Sequence, residues 1–159
     1  MNLANKLTTF RVLCIPIFVV FMLIESIPYN YYLAAIVFII ASITDLFDGK
    51  IARKYHLVTN FGKFMDPLAD KMLVSAALIC LTPKMIPSWV VIIIISRELF
   101  ISGFRMLAAD QGIVLAAGWW GKFKTAFSMV MIIVLIVNTP LNNSVLYIIG
   151  QVLIWISLA

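Results

Sequence analysis

Four aspartates between positions 45 and 70 combine residue type and spacing in a way that points to chemistry. Asp45 and Asp48 are three residues apart and Asp66 and Asp70 are four apart, so each pair shares one face if it lies on a helix. Four close carboxylates repel one another and hold protons unless a cation neutralises them. Hard oxygen ligands suit Mg²⁺ or Mn²⁺ better than zinc, and paired cations commonly serve phosphoryl displacement. The spacing therefore predicts a site for two divalent cations. The simpler alternative, solvated charges at helix ends, is disfavoured because ionisable groups within apolar segments are costly and usually functional.

The residues between the two aspartate pairs are suited to holding a phosphate-bearing ligand. Gly49 and Ala52 are small and follow Asp48, which would let a ligand approach the helix backbone. Arg53 offers a planar fork of donors to phosphate, and Gly62, expected just before the third helix, could bring a helix N-terminus close to an anion. Each glycine alone is more often a packing or turn residue, so the prediction depends on the combination.

The elements that must position these residues are apolar and long. Of the 159 residues, 64% are hydrophobic and 12% are charged, and the charged share is about half that of soluble domains. Apolar segments cover residues 6–25, 31–53, 64–82, 86–108, 119–138 and 144–159, and segments that span lipid must be helical to satisfy their backbone groups. The sequence thus predicts an all-α integral membrane protein with six transmembrane helices in a single domain, 1–159. The sixth segment lacks a polar flank, which suggests that the natural chain is longer at its C-terminal end.

The positive charges predict the orientation of the chain. The net charge is +5, from 12 lysines and arginines and 7 acidic residues. If the N-terminus is cytoplasmic, all of these cations except Lys84 lie on or toward the cytoplasmic side, as the positive-inside rule requires. We therefore expect a cytoplasmic N-terminus, with the aspartates facing the cytoplasm. The basic excess suits an anionic membrane leaflet and anionic substrates, and nucleic acid is not expected as a partner.

The aspartate segment resembles the signature of the CDP-alcohol phosphotransferase family, D-x-x-D-G-x-x-A-R followed by G-x-x-x-D-x-x-x-D, and all eight signature residues are present. The resemblance implies a membrane enzyme that joins a CDP-activated lipid to a small alcohol and releases CMP. It implies that Asp45, Asp48 and Asp66 bind two cations, and that Asp70 is both a ligand and the general base. It further implies that the CDP group is held by Asp48, Gly49, Ala52, Arg53 and Gly62.

Other segments resemble the bacterial members of this family whose acceptor is glycerol 3-phosphate. The opening from Asn5 to Arg11 matches the pattern N-x-L-T-x-x-R, although Ala4 stands where those members often have proline. By this resemblance Asn5 and Thr8 join the CDP site. Further resemblance comes from the segments Ser96-Arg97-Glu98 and Gly121-Lys122-Phe-Lys124-Thr125, together with Arg105.

A cationic pocket for the acceptor phosphate is the physical counterpart of this second resemblance. Arg97 and Arg105 are eight residues apart on the fourth helix, and Lys122, Lys124 and Thr125 open the fifth. The alternative explanation makes the cations topological anchors on the cytoplasmic side, and for Lys122 it is as good as the functional one. For Arg97 the alternative is weaker because this residue lies well inside an apolar run.

The expected partners are CDP-diacylglycerol, glycerol 3-phosphate and membrane lipids, in a multi-pass protein of the bacterial cell membrane that family analogy makes a homodimer. Serine, inositol phosphate or phosphatidylglycerol remain open as acceptors. An intramembrane prenyltransferase is a more distant alternative, but such enzymes lack the D-G-x-x-A-R run and normally have more helices. A non-enzymatic cation carrier would leave the glycines and Arg53 unexplained.

Overall fold

The computed structural model describes the backbone of residues 3–54, 60–110 and 119–158, and the side chains of residues 8–44, 65, 68–108, 121 and 123–158. These residues form six helices and no strand, which confirms the predicted all-α class. The helices are α1 (Leu3–Leu23), α2 (Asn30–Lys54), α3 (Asn60–Cys80), α4 (Ser88–Asp110), α5 (Trp119–Leu141) and α6 (Ser144–Leu158).

The helix bounds correct one detail of the sequence prediction. The third helix begins at Asn60 rather than at residue 64, so Gly62 lies within its first turn and not before it. The other helix starts fall within a few residues of those predicted, because turn residues interrupt the apolar runs at these points. The chain divides into two compact units, Met1–Cys80 (unit 1) and Leu81–Ala159 (unit 2).

Unit 1 is a three-helix unit in which α1 packs against both α2 and α3. The tight connection from α1 to α2 includes Tyr29, which has a positive φ of 58°. The rings of Phe18 and Phe38, both fully buried, lie 5.8 Å apart between α1 and α2. From α3, Leu73 and Ala77 complete the buried apolar centre of the unit.

Unit 2 has its apolar centre between α5 and α6. The buried side chains there are Met131, Ile132, Leu135, Ile136 and Ile154. The close approach depends on Gly150, since a Cβ at this position would lie 2.5 Å from Cδ2 of Leu135. Helix α4 also contacts α6. The Gln151 side chain of α6 donates a hydrogen bond of 3.2 Å to the carbonyl of Met85, which lies in the turn before α4.

Asparagines form the turn between α5 and α6. The Asn138 side-chain oxygen accepts a bond of 2.9 Å from the backbone N–H of Asn143, and Asn142 takes a positive φ of 47°. The Asn143 side chain then accepts a bond of 2.9 Å from the N–H of Val145, which makes Asn143 the N-cap of α6. Asparagine side chains in this turn therefore satisfy the backbone N–H groups of Asn143 and Val145.

One helical segment among the described residues, Phe123–Leu141, is long and apolar enough to cross a membrane. Three further apolar helical segments are shorter: Thr8–Leu23, Asn30–Thr44 and Ser144–Leu158. Large apolar side chains are widely exposed, among them Phe100 at 76% and Leu107 at 68%. The six-span topology and the cytoplasmic N-terminus stay predictions.

Candidate active site

The first aspartate pair continues a buried stripe of α2. Ala34, Phe38 and Ala41 are fully buried along this stripe within unit 1. At about 100° per residue, positions 45, 48 and 52 fall on the same face of the helix. The sequence along the stripe therefore changes from Ala-Phe-Ala to Asp-Asp-Ala toward the end of α2. The pair occupies helical positions that would continue toward the interior of unit 1, although its side chains lie outside the described set.

The second pair begins an equivalent stripe of α3. Leu73 is 1% exposed and Ala77 is fully buried, and positions 66 and 70 share their face by the spacing i, i+4, i+7 and i+11. Asp70 is half-buried. Both acidic pairs thus stand on the faces by which their helices pack within unit 1.

The end of α2 and the start of α3 are close along the chain. Helix α2 ends at Lys54 and α3 begins at Asn60, so the connection spans at most about 22 Å even if fully extended. The two helices also contact each other, and a short connection makes neighbouring helices antiparallel. The two aspartate pairs, which we call the acidic cluster, therefore belong to adjoining helix ends.

The donor set of the acidic cluster fits hard divalent cations, because it consists of carboxylate oxygens alone. Among the residues whose side chains are described, no group of three or more His, Cys, Asp or Glu side chains forms a metal site. Of the acidic cluster, only Asp70 belongs to that set. The surroundings of several other predicted site residues also lie outside the described set: Asn5, Gly49, Ala52, Arg53, Gly62 and Lys122. Their predicted roles in binding CDP, cations or phosphate stay predictions.

Thr8 is the one predicted CDP-binding residue of α1 whose side chain is described. It is 1% exposed and shares the inward face of α1 with Phe18 and Met22, both of which are buried. Thr8 thus faces the interior of unit 1, near the N-terminal end of α1.

Two buried cationic groups distinguish unit 2. Nη1 of Arg97 on α4 and Nζ of Lys124 on α5 are buried and have no hydrogen-bond partner among the described residues. A buried donor without a partner costs about 1–3 kcal/mol, and more when it is charged. These two groups are therefore suited to receive an anion.

The start of α5 collects further positive charge. Arg105 of α4 is exposed, and its Nη2 lies 3.7 Å from the point where a Cβ on Gly121 would stand. The first turn of α5 contains no acidic residue. The Thr125 hydroxyl donates a 2.7 Å bond to the Gly121 carbonyl, so its proton is engaged within the helix. Thr125 is consequently the weakest of the predicted phosphate ligands.

Three buried polar residues of unit 1, Arg11, Asn30 and Ser42, had no predicted functional role. Arg11 is fully buried and Ser42 is 8% exposed, and the Ser42 hydroxyl has no hydrogen-bond partner in the described part of the chain. In the sequence, Arg11 closes the N-x-L-T-x-x-R pattern and counts among the cytoplasmic cations, but no contact was predicted for it. The spacing could have indicated that Arg11 is buried, because this residue lies three positions after Thr8 and seven before Phe18, on the inward face of α1.

Comparison with known proteins places the chain in a defined class of transferases. The sequence matches the CDP-alcohol phosphatidyltransferase family over residues 1–159, and the chain belongs to that family. It is similar to the CDP-diacylglycerol–glycerol-3-phosphate 3-phosphatidyltransferase of Bacillus subtilis (strain 168), with 45% identity over 98% of this chain and 87% of the relative. Proteins of the same name from Rickettsia bellii (38% identity, 98% and 87% coverage) and Escherichia coli K12 (39% identity, 81% and 73% coverage) are also similar.

Proposed function

We propose that this protein transfers the phosphatidyl group of CDP-diacylglycerol to glycerol 3-phosphate, giving phosphatidylglycerophosphate and CMP in phospholipid biosynthesis. Similarity to the relatives named for this reaction extends over 98% of the chain. The structural observations that support the choice of acceptor are the approach of Arg105 to the start of α5 and the buried Nζ of Lys124, which has no hydrogen-bond partner among the described residues. In the same proposal Arg97, Lys122 and Thr125 complete the acceptor-phosphate pocket.

Positive charge at the start of α5 is unfavourable unless an anion balances it. The N-terminus of a helix carries a partial positive charge and favours negative groups. Lys122 and Lys124 follow closely on the start of α5 at Trp119, with no acidic residue in the first turn, and Arg105 reaches the same turn. Glycerol 3-phosphate would supply the phosphate that balances this charge, whereas serine carries none. Inositol phosphate shares this chemistry and must be separated by experiment.

The acidic cluster is proposed to hold two divalent cations, Mg²⁺ or Mn²⁺. The support is the donor set of four carboxylates and the placement of both pairs on buried helix stripes. When bound, such cations would neutralise charge on the CDP pyrophosphate and stabilise the departing CMP. In the same proposal Gly49, Ala52, Arg53 and Gly62 hold the CDP group, with Asn5 and Thr8 on α1.

Asp70 is proposed to act as the general base. Its carboxylate takes the proton from the acceptor hydroxyl, and that oxygen forms a bond to the phosphorus on the lipid side of the pyrophosphate. The bond between this phosphorus and the bridging oxygen breaks, and its electron pair leaves with CMP. The half-buried position of Asp70 limits competing contact with water.

The protein is proposed to work as a multi-pass protein of the bacterial cell membrane, with its N-terminus and active site on the cytoplasmic side. The one-sided distribution of lysine and arginine supports this orientation. The widely exposed apolar side chains, such as Phe100 and Leu107, suit contact with lipid. A homodimer is expected from the family resemblance.

The test is an assay of the purified protein with CDP-diacylglycerol and a panel of acceptors: glycerol 3-phosphate, serine, inositol phosphate and phosphatidylglycerol. We expect CMP release and a phosphatidylglycerophosphate product with glycerol 3-phosphate. Transfer to serine or inositol phosphate with none to glycerol 3-phosphate would refute the acceptor. Absence of CMP release with every acceptor would favour the distant alternatives, a prenyltransferase or a cation carrier.

A further inference from the structure

Arg11 is a fully buried cation in the N-terminal half of α1. Burying a guanidinium is expensive unless it meets an opposite charge and has hydrogen-bond acceptors. Arginine side chains in proteins do not escape this cost by losing a proton, because their pKa is too high. A carboxylate within reach of Arg11 would offset this cost.

The acidic residues of unit 1 are the acidic cluster and Glu25. Glu25 is exposed in the turn that follows α1. Arg11 lies 12 positions before the last residue of α1, Leu23, which corresponds to about 18 Å along the helix axis. That distance is beyond the reach of an arginine side chain. Within unit 1, the acidic cluster is the remaining candidate.

The levels of these residues along their helices agree with this assignment. Helices α1, α2 and α3 follow one another through short connections, which makes successive helices antiparallel, and α1 packs against both of the others. From the first residue of its helix, Arg11 is about 12 Å along α1 and Asp70 about 15 Å along α3. Asp45 lies about 14 Å before the end of α2. Along the helix axes, Arg11 therefore lies at about the same height as the acidic cluster. Its helix, α1, contacts both α2 and α3, which carry the cluster.

We propose that Arg11 is a positioning residue whose guanidinium pairs with the acidic cluster from α1. The pairing would hold α1 against α2 and α3 and restrict the carboxylates to the rotamers in which they can bind cations. The stability part of this inference depends only on the fold, while its effect on turnover rests on the proposed function.

A set of double-mutant cycles tests the pairing. Thermal unfolding is measured in detergent with excess EDTA, so that no bound cation contributes, for Arg11→Met, for Asp→Asn at each position of the cluster, and for each double variant. Breaking one side of a buried ion pair is strongly destabilising, and we expect Arg11→Met to lower the Tm on the order of 10 °C. The double variant with the true partner should lose clearly less than the sum of its two single variants.

Phe18→Leu is the matched control, because Phe18 lies on the same face of α1 and is equally buried. It should lower the Tm without coupling to any aspartate. Turnover supplies the functional readout at a temperature where all variants are folded. Arg11→Lys, which keeps the charge, should recover part of the kcat that Arg11→Met loses, while the KM for glycerol 3-phosphate stays unchanged.

Additive Tm losses in all four cycles would overturn the proposal, as would an Arg11→Met variant with parental stability. Equal loss of turnover in Arg11→Lys and Arg11→Met would remove the role of the charge in catalysis. If the proposed function is wrong, the parent protein will not release CMP from CDP-diacylglycerol, which is a separate measurement. The cycles are unaffected by that outcome, since they require neither substrate nor cation.

Discussion

Replacing Lys124 with methionine should change activity and stability in opposite directions. In the absence of substrate, Nζ of Lys124 is buried without a hydrogen-bond partner among the described residues. Methionine has a similar length and no charge to desolvate. Removal of the unsatisfied group should therefore recover about 1–3 kcal/mol of stability, which corresponds to a rise in Tm of roughly 3–10 °C for a chain of this size.

The same substitution should weaken the use of glycerol 3-phosphate. A charge-assisted hydrogen bond contributes about 1.5–3 kcal/mol, and each 1.36 kcal/mol is a factor of ten in rate. We expect kcat/KM for this acceptor to fall about 10- to 150-fold at saturating CDP-diacylglycerol. The KM for CDP-diacylglycerol should change little, because the residues proposed to hold it belong to unit 1.

Thermal unfolding with and without the acceptor completes the assay. A ligand at 100 times its Kd stabilises the protein that binds it by about 2.7 kcal/mol, so glycerol 3-phosphate should raise the Tm of the parent more than that of Lys124→Met. Lys84→Met is the control, since Lys84 is exposed in the turn before α4, and it should leave kcat/KM unchanged. A Lys124→Met variant that is less stable, yet keeps the parental kcat/KM, would refute the reasoning.

Three further predictions concern the cations, the topology and the packing. EDTA should abolish turnover reversibly and Asp45→Asn should abolish it permanently; full activity in excess chelator would end the two-cation proposal. A cysteine at position 59 in place of Thr59 should react with impermeant reagents from the cytoplasmic side, and one in place of Pro28 from the other side; the reverse labelling would overturn the orientation. Gly150→Ala should destabilise unit 2 by about 1–3 kcal/mol through overpacking, since its Cβ would lie 2.5 Å from a buried leucine. Gly103→Ala, with nothing within 4 Å of the new Cβ, should instead gain up to about 1 kcal/mol from helix propensity. Equal unfolding temperatures for the two glycine variants would contradict this account.

The helices were predictable from the sequence because apolar runs and turn residues alternate along the whole chain. The start of α3 was placed too late, since the polar residues before Phe64 look like loop and yet form its first turn. The aspartate spacing predicted two shared faces, but hydropathy alone could not show that each face continues a buried stripe through residues such as Phe38 and Leu73.

The buried polar groups were the least predictable part of the candidate site. A sequence shows that Arg11 and Lys124 are cations, but it does not show which of them loses contact with solvent. Burial depends on packing between helices: α1 packs between two neighbours, whereas Arg105 stays exposed on α4. Thr125 illustrates the same limit, because its engagement with the Gly121 carbonyl follows from the local helix geometry.

The continuous stripe along α2 restricts how the length of this helix can vary. The same face carries Ala34 and Phe38 in the buried centre and then the positions of Asp45 and Asp48, which belong to the candidate site. Each residue added or removed between positions 41 and 45 would rotate everything beyond it by about 100°, so one of the two halves would leave the interior. Substitutions can accumulate on the outer face of α2 without this consequence, but single-residue insertions and deletions cannot. Length variation among related chains should therefore concentrate in the turns, such as residues 24–29, and spare this helix.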